Sequence, residues 1–324
     1  MKRRAFLTSG IVALSLPYSI AAADAGVFRI GWITAQRASS LTPFVAAFRA
    51  SLAELGYVEG RNLTIDFRYG DDAIERVPGL AAELVQVRID LLVAQGAAVD
   101  VLSKLDLKVP LVYVYSGDPV TAGFAESLAR PRANMTGLTF MAPEFNGKRL
   151  EILREIIPDL RRVAVIANPE HPGQHIERSY TEATARTLHI AIDYFPTRTL
   201  DELAHAFVAM AENPPQGISV FADGFAIQNR DRIIEFGMRQ RIPVISGWAV
   251  FARSGAICTY GPALVASYRR LAAYVDRILK GAKPVDLPIE QPTQFELVIN
   301  QRTAKALDLR IPQSLLVRAD EVIE

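Results

Sequence analysis

Residues 109–119 read VPLVYVYSGDP, a run of apolar and β-branched side chains that ends in Ser116, Gly117, Asp118 and Pro119. A short, uninterrupted apolar run is typical of a strand that is buried on both faces, as in a parallel sheet. The small and charged residues that follow indicate a loop at the carboxyl end of that strand. The rest of the sequence has to show what this loop would contact.

Strand and helix patterns alternate through the first part of the chain. We predict strands at residues 29–34, 63–69, 90–96 and 110–117, separated by helices at residues 42–55, 75–87 and 97–105. In the first helix, Thr42 is expected to cap the free amides, Pro43 suits the first turn, and Gly56 ends the helix in a left-handed conformation. Such alternation favours a parallel sheet with helices on both faces.

The same pattern begins again at Arg162, about 130 residues after its first occurrence. Here we predict strands at residues 162–169, 191–196, 217–224 and 242–248, and helices at residues 174–188, 200–212 and 226–240. The segments KVPLVYVYSG (108–117) and RIPVISGW (241–248) each place a Val-Pro or Ile-Pro pair before a buried strand. The repeat predicts two similar α/β units in tandem.

The composition fits a globular chain with two folded units. Half of the 324 residues are hydrophobic, and single cores stop growing at about 250 to 300 residues. The 36 Lys and Arg residues nearly balance the 35 Asp and Glu residues, so there is no basic excess to attract nucleic acid. The single cysteine, Cys258, cannot form an intrachain disulfide, and we predict that it is a small buried side chain.

The N-terminus has the pattern of a secretory signal peptide. Basic residues at 2–4 precede an apolar stretch at 5–20 and three alanines at 21–23. We expect cleavage after Ala23 or Ala25 and export, to the periplasm for example, through either the twin-arginine or the ordinary secretion route. An uncleaved membrane anchor is the alternative. No later apolar stretch approaches about 18 residues, which predicts a soluble mature chain.

In open parallel sheets, ligands bind beyond the carboxyl ends of the strands. In both predicted units these ends carry small residues, carboxylates or aromatic rings, which would line a cleft if the two sheets faced each other. We therefore predict ligand contacts at Trp32, Thr34, Gln95, Gly96, Ala97, Ser116, Gly117, Asp118, Asn168, Asp223, Phe225 and Trp248.

Some of these residues also have a purely structural interpretation. Asp118 and Asp223 are suited to capping a helix or closing a turn. Trp32 and Trp248 are equally suited to filling a core. The sequence leaves both interpretations open.

Motifs that carry chemistry are missing from the sequence. It contains no G-x-S-x-G, H-E-x-x-H, C-x-x-C or G-x-G-x-x-G pattern. His171 and His175 are four residues apart, but the proline and glycine between them favour a solvated loop over a metal site. We predict no enzymatic activity, no metal and no cofactor.

Several segments together resemble a known family. They are ELGYVEGRNLTIDFRY (54–69), VYSGDPVTAGFAESLARPRANMTGLTF (114–140), GKRLEILREIIPDLRRVAVIANP (147–169) and the block from residue 274 to the end. The sequence is similar to the ABC-transporter substrate-binding proteins related to tryptophan/tyrosine transport. The resemblance covers residues 27–324 and implies a type I periplasmic binding-protein fold, in which two doubly wound α/β lobes joined by three crossovers close around one small solute.

The resemblance also implies how the chain divides. The N-terminal lobe would comprise residues 27–138 plus 262–290, and the C-terminal lobe residues 139–261 plus 291–324. The expected function is that of the exported solute-binding component of an ABC importer, with a permease and its ATPase as partners. The mature chain is expected to be a monomer.

The solute is expected to be an aromatic amino acid or a related aromatic carboxylate. Its carboxylate would lie against backbone amides near Ala97 and Ser116. An amino group would pair with Asp118 or Asp223. The aromatic body would stack on a ring, the candidates being Trp32, Phe225 and Trp248.

Two other functions remain open from the sequence. A ligand sensor would present the same fold to a membrane signalling protein. An exported enzyme could use Asp118 and Asp223 as an acid/base pair. A DNA-binding repressor of similar fold would need an N-terminal helix-turn-helix, where this chain has its apparent signal peptide.

Overall fold

The computed structural model describes residues 26–324 except Ala133 and Ala222. The predicted signal peptide, residues 1–23, lies outside the described residues. Among the helices of the described part, none combines the length and the apolar character needed to cross a membrane.

The first half of the chain forms a five-stranded, wholly parallel sheet of order β2-β1-β3-β4-β7. In chain order the strands are β1 Phe28–Thr34, β2 Leu63–Tyr69, β3 Leu91–Gln95, β4 Leu111–Tyr115, β5 Ala125–Ser127, β6 Arg130–Pro131 and β7 Met135–Thr139. Strands β5 and β6 form a separate antiparallel ribbon. Within residues 109–119, the apolar part Leu111–Tyr115 is therefore a buried inner strand, as the apolar run predicts.

Helices cover both faces of this sheet, and we call the whole unit lobe one. In chain order they are α1 Thr42–Glu54, α2 Val77–Gln86 and α3 Ala98–Leu102. Helix α1 begins at Thr42, and Leu41 rather than Thr42 occupies the cap position. The predicted threonine cap is wrong because a preceding turn presents the Leu41 carbonyl, which accepts from the amides of Phe44 and Val45. Gly56 has φ +94°, as predicted for a left-handed helix end.

The second half builds a seven-stranded sheet of order β14-β13-β12-β11-β10-β8-β9, which we call, with its helices, lobe two. Its strands are β8 Arg162–Ala167, β9 Ala191–Pro196, β10 Gly217–Val220, β11 Val244–Ser246, β12 Cys258–Pro262, β13 Phe295–Asn300 and β14 Glu321–Ile323. The helices from this point on are α4 Glu144–Ile156, α5 Gln174–Leu188, α6 Leu200–Glu212, α7 Gly224–Gln228, α8 Arg230–Gln240, α9 Ala249–Ser254, α10 Leu264–Leu279, α11 Gln301–Ala306 and α12 Gln313–Arg318. Cys258 is fully buried in this lobe, as predicted.

The chain passes between the two sheets at residues 140–143, at Ala263 and at residues 291–294. Helix α10, which follows the second crossover, belongs to lobe one, because it packs on α1 and on strands β3, β4 and β7. The chain leaves lobe two at the end of β12 and returns to it at the start of β13. The two strands therefore run in opposite directions, and β12 and β13 form an antiparallel pair. The division into residues 27–138 plus 262–290 and residues 139–261 plus 291–324 stays a prediction.

Candidate functional site

The carboxyl-end loops of the two sheets touch each other. The loop after β4 belongs to lobe one, and the loop after β8 belongs to lobe two. The Oγ of Ser116 lies 3.0 Å from Nε2 of His171, and the amide of Asp118 donates to the carbonyl of Pro172 at 3.1 Å. Two of the strand ends that the sequence predicts to carry ligand contacts, those of β4 and β8, therefore meet at one interface.

On the lobe-two side, two acidic side chains lie in poorly solvated surroundings. Asp223 is 4% exposed and caps α7, accepting from the amide of Ala226 at 2.7 Å. Glu177, in the first turn of α5, accepts from Nδ2 of Asn146 at 3.1 Å. Burial raises the pKa of both carboxyl groups, and nearby His171 offsets part of that rise.

On the lobe-one side, Asp100 occupies the first turn of α3 and accepts from the hydroxyl of Tyr115 at 2.7 Å. Burial raises the pKa of Asp100, and the Tyr115 hydrogen bond and the nearby imidazole of His171 in the other lobe oppose that rise. Asp118 closes its own loop by accepting from the amide of Val120 at 2.9 Å and from the hydroxyl of Thr121 at 2.7 Å. Asp118 thus has the turn role that its sequence context also allowed.

One cation is buried beside these acids. Arg149 of α4 is 5% exposed, and its Nε donates to the carbonyl of Tyr260 at 2.9 Å while Nη1 donates to Asn146. Burial lowers the pKa of Arg149 to about 10, against the attraction of Glu177. The guanidinium lies directly under Gly247, where any side chain would overlap it. Arg149 therefore links the acidic groups to the end of β11, next to Trp248.

Aromatic rings from both lobes and the first crossover pack together beside this polar region. Phe140 lies 6.4 Å from Trp248 and 6.1 Å from Tyr268, and Tyr268 stacks on Phe44 at 5.0 Å between ring centroids. We call these four rings the aromatic wall. Phe225, at the start of α7, is half-buried against the same apolar cluster. Because Trp248 belongs to lobe two while Phe44 and Tyr268 belong to lobe one, a change in lobe separation would move Trp248 relative to the other rings.

The structure brings Ser116, Gly117 and Asp118 of lobe one against residues 171–173 of lobe two. The predicted lobe-two contacts Asp223, Phe225 and Trp248 lie at the carboxyl ends of β10 and β11. Asn168 follows β8, and its Oδ1 accepts from the amide of Glu170. These residues border the interface between the lobes.

Other predicted residues have different surroundings. Trp32 is fully buried, and its ring packs against Phe48, Phe67 and Tyr268, so in this structure it lies in the core of lobe one, next to one ring of the aromatic wall. Its sequence position at a strand end does not reveal that its side chain points toward α1 and α10 rather than along the strand axis.

The remaining predicted residues lie at the end of β3 and β1. Thr34 and Gln95 are buried, and Nε2 of Gln95 donates to Oε1 of Gln36 at 3.1 Å. Gly96 has φ +61° and Ala97 is exposed. Helix α3 has its acidic residue, Asp100, in its first turn, so an anion near Ala97 would face a negative charge. The predicted carboxylate position near Ala97 therefore has no support from the structure.

Sequence reasoning missed several residues at the interface between the lobes. The predicted solvated loop at His171 is wrong, because the side chain is 11% exposed and is enclosed by groups from both lobes. Asp100, Arg149 and Glu177 lie inside helices, and no local signal distinguishes them from surface charges. Phe140, in the first crossover, looks like an ordinary residue after a strand.

A separate groove of about 890 Å³ lies at the crossovers. Its lining comes from the end of β7, the start of α10 and the third crossover, and includes Leu138, Val265, Arg269 and Pro292. The twelve residues predicted from the sequence do not line this groove. It therefore lies at the crossovers and not at the interface of the strand ends.

The chain matches known proteins over most of its length. The model of the ABC transporter substrate binding protein family matches residues 35–323. A tyrosine-binding protein of Clostridioides difficile (strain R20291) is 22% identical over 273 residues, which is 84% of this chain and 78% of that protein.

Solved structures of the same architecture are similar to it as well. A conserved domain protein from Vibrio cholerae superposes with a TM-score of 0.84 at 23% identity, covering 91% of this chain and 99% of the other. An ABC domain from Streptococcus pneumoniae in complex with L-Trp has a TM-score of 0.84 at 21% identity, with the same coverage. Solved neighbours also include a transporter solute binding protein from Thermotoga lettingae and a periplasmic binding protein/LacI transcriptional regulator from Alkaliphilus metalliredigens, which agrees with the type I fold implied by the sequence. This chain belongs to the ABC transporter substrate-binding protein family.

Proposed function

We propose that this protein is the exported solute-binding component of an ABC importer and that it closes its two lobes around an aromatic amino acid. The observation that carries the proposal is the meeting of a polar, acid-rich region and an aromatic wall at one interface between the lobes. Gly247, which contacts Arg149, immediately precedes Trp248, so the two regions adjoin. An amino acid with an aromatic side chain has groups that match both.

The charges at the interface favour a zwitterion over a simple carboxylate. The acids Asp100, Asp118, Glu177 and Asp223 outnumber the basic side chains Arg149 and Lys104 beside them. The Nε and Nη1 of Arg149 already donate to protein oxygens. A poorly solvated carboxylate gains most from a cationic partner, such as a solute ammonium group. We therefore favour an amino acid over the aromatic carboxylates that the sequence left open. The names of the two relatives, one tyrosine-binding and one complexed with L-Trp, support the same class.

The transport role rests on the family and on the expected export signal. We propose a permease with its ATPase as partners, a monomeric mature chain, and release of the solute without chemical change. Incubation with a bound solute followed by mass spectrometry should return the solute intact. A converted product would instead favour an exported enzyme.

The test is a thermal-shift and calorimetric comparison of the mature protein with L-tryptophan, L-tyrosine, their analogues that lack the amino group, and L-alanine. At 100 times Kd, a bound solute should stabilise the folded state by about 2.7 kcal/mol. We expect stabilisation by at least one aromatic amino acid and much weaker effects from the deaminated analogue and from alanine. Equal binding of the deaminated analogue, or no response to any aromatic amino acid, would contradict the proposal.

A further inference from the structure

The two lobes make direct contacts that need no solute. The lobe-one loop, residues 116–118, and the lobe-two loop, residues 171–173, share a side-chain contact and a backbone hydrogen bond. The former joins Ser116 Oγ to His171 Nε2 at 3.0 Å, and the latter joins the Asp118 amide to the Pro172 carbonyl at 3.1 Å. We call this pair of loops the latch.

The backbones of the latch approach as closely as glycine permits. A Cβ built on Gly117 would lie 2.8 Å from the carbonyl oxygen of Pro172, across the interface. A Cβ built on Gly173 would lie 3.0 Å from Cβ of Asp118 and 2.6 Å from Cε of Met141. Larger residues at either position would push the loops apart. The fit of the two loops is therefore specific to small residues at these points.

His171 also faces carboxylates from both lobes. Glu177 of lobe two lies 3.9 Å from Nδ1, and Asp223 lies within electrostatic range. From lobe one, Asp100 lies within electrostatic range of His171 and is itself oriented by the hydroxyl of Tyr115. Both ring nitrogens are thus directed at polar groups, one in each lobe. This arrangement favours contact of the lobes without any bound molecule.

We propose that the latch holds the lobes together through protein–protein contacts, with His171 as a positioning residue that sets the closed fraction of the solute-free protein. Solute affinity would then depend on the latch, because the apparent Kd scales inversely with the fraction in the binding-competent state. This consequence rests on the proposed function. The latch itself is measurable without any solute.

The first experiment measures lobe separation in the solute-free mature chain by pulsed EPR. Spin labels at Ala82→Cys on α2 and Ala204→Cys on α6 use exposed helix positions in the two lobes. Because Cys258 is buried, the spin label should react only with the two introduced cysteines. We expect His171→Ala to shift the distance distribution away from that of the parent, whereas His175→Ala, an exposed histidine of α5, should not. A distribution unchanged by His171→Ala would overturn the latch.

The second experiment measures affinity for L-tryptophan and L-tyrosine. Loss of one interlobe hydrogen bond should raise the apparent Kd of both solutes by the same factor, about five-fold. Ser116→Ala, which removes the partner from the other lobe, should have a similar effect, and the double variant should be little weaker than either single one. His171→Gln, which keeps a polar group, should recover part of the affinity.

The two experiments separate the latch from the proposed function. Weaker binding with an unchanged solute-free distance distribution would mean that His171 contacts the solute, and would overturn the latch. If no aromatic amino acid binds even the parent protein, the proposed function is wrong. The distance measurement still shows whether the latch holds the solute-free lobes together. Far-UV circular dichroism and melting curves of each variant establish that it is folded. If His171→Ala does not fold, the distance measurement is made on Ser116→Ala instead.

Discussion

Asp223 serves the fold and the proposed site with one side chain. As the cap of α7 it accepts the amide of Ala226 at 2.7 Å, a role that a neutral oxygen can fill equally well. Its negative charge adds nothing that the cap requires, and burial makes that charge costly. A buried charge that the local structure does not need is the pattern expected of a group reserved for a ligand.

Asp223→Asn should therefore raise stability and lower affinity. Burial raises the pKa of Asp223 in the folded state, so the parent loses stability as pH rises through that pKa, and the asparagine variant does not. The variant should have the higher melting temperature at pH 7, and the difference should vanish as pH falls below the ordinary aspartate range. Loss of a charged hydrogen bond should weaken binding of L-tryptophan by about 10- to 100-fold.

Asp201→Asn is the matched control, because Asp201 is exposed in the first turn of α6. It should change neither the affinity nor the pH dependence of the melting temperature. Unaltered affinity in Asp223→Asn would exclude this carboxylate from solute recognition.

The two tryptophans show the limit of sequence reasoning at this scale. Trp32 and Trp248 both lie at or near a predicted strand end. For both, the sequence allowed either a ligand contact or a position in the core. Trp32 belongs to β1 and points into the core beneath α1 and α10. Trp248 follows β11 and contacts Phe140 of the first crossover. The difference depends on the direction of each side chain relative to distant helices, which a local pattern does not encode.

At the scale of elements, β7 is held to β4 by unusually close backbone contact. Gly137 is paired with Tyr113, and a Cβ on Gly137 would overlap the backbone of Tyr113. Strand β7 also leads into the first crossover and carries Thr139, whose hydroxyl donates to the carbonyl of Gly117 at 2.8 Å. The position of this edge strand therefore affects both the sheet and the latch.

We expect Gly137→Ala to destabilise the protein by about 1 to 3 kcal/mol, the usual range for overpacking. The midpoint of denaturant unfolding should fall accordingly. Gly79→Ala is the comparison, because a Cβ at Gly79 in α2 meets no atom within 4 Å. That change should be neutral or stabilising by up to about 1 kcal/mol. Equal midpoints for the two variants would contradict the packing argument.

Element boundaries depart from the sequence pattern where side chains form local hydrogen bonds. The predicted strand 217–224 stops at Val220, because Asp223 already caps the next helix. The predicted helix 226–240 is two helices, α7 and α8, that meet at Asn229. Helices α5 and α6 and strand β9 have the predicted bounds.

At the scale of the whole molecule, the proposed function requires the chain to leave the cytoplasm. We expect the exported protein to begin after Ala23 or Ala25, because three small residues follow the apolar stretch of the expected signal. Removal of residues 1–23 takes away three basic residues and no acidic ones, which changes the formal net charge from +1 to about −2. Intact-mass measurement of the exported protein tests this, and retention of residues 1–23 would favour the membrane-anchored alternative.

Local periodicity in the sequence was enough to predict the alternating elements, the repeated α/β unit and the edge of each sheet on which polar residues collect. These features depend on the spacing of apolar residues within about 5 to 15 positions, which is a local property of the chain. Only the tertiary structure decided which side chains meet at the interface of the lobes. Ser116 and His171 are 55 residues apart, and Phe140, Trp248 and Tyr268 come together because three crossovers fold one lobe against the other.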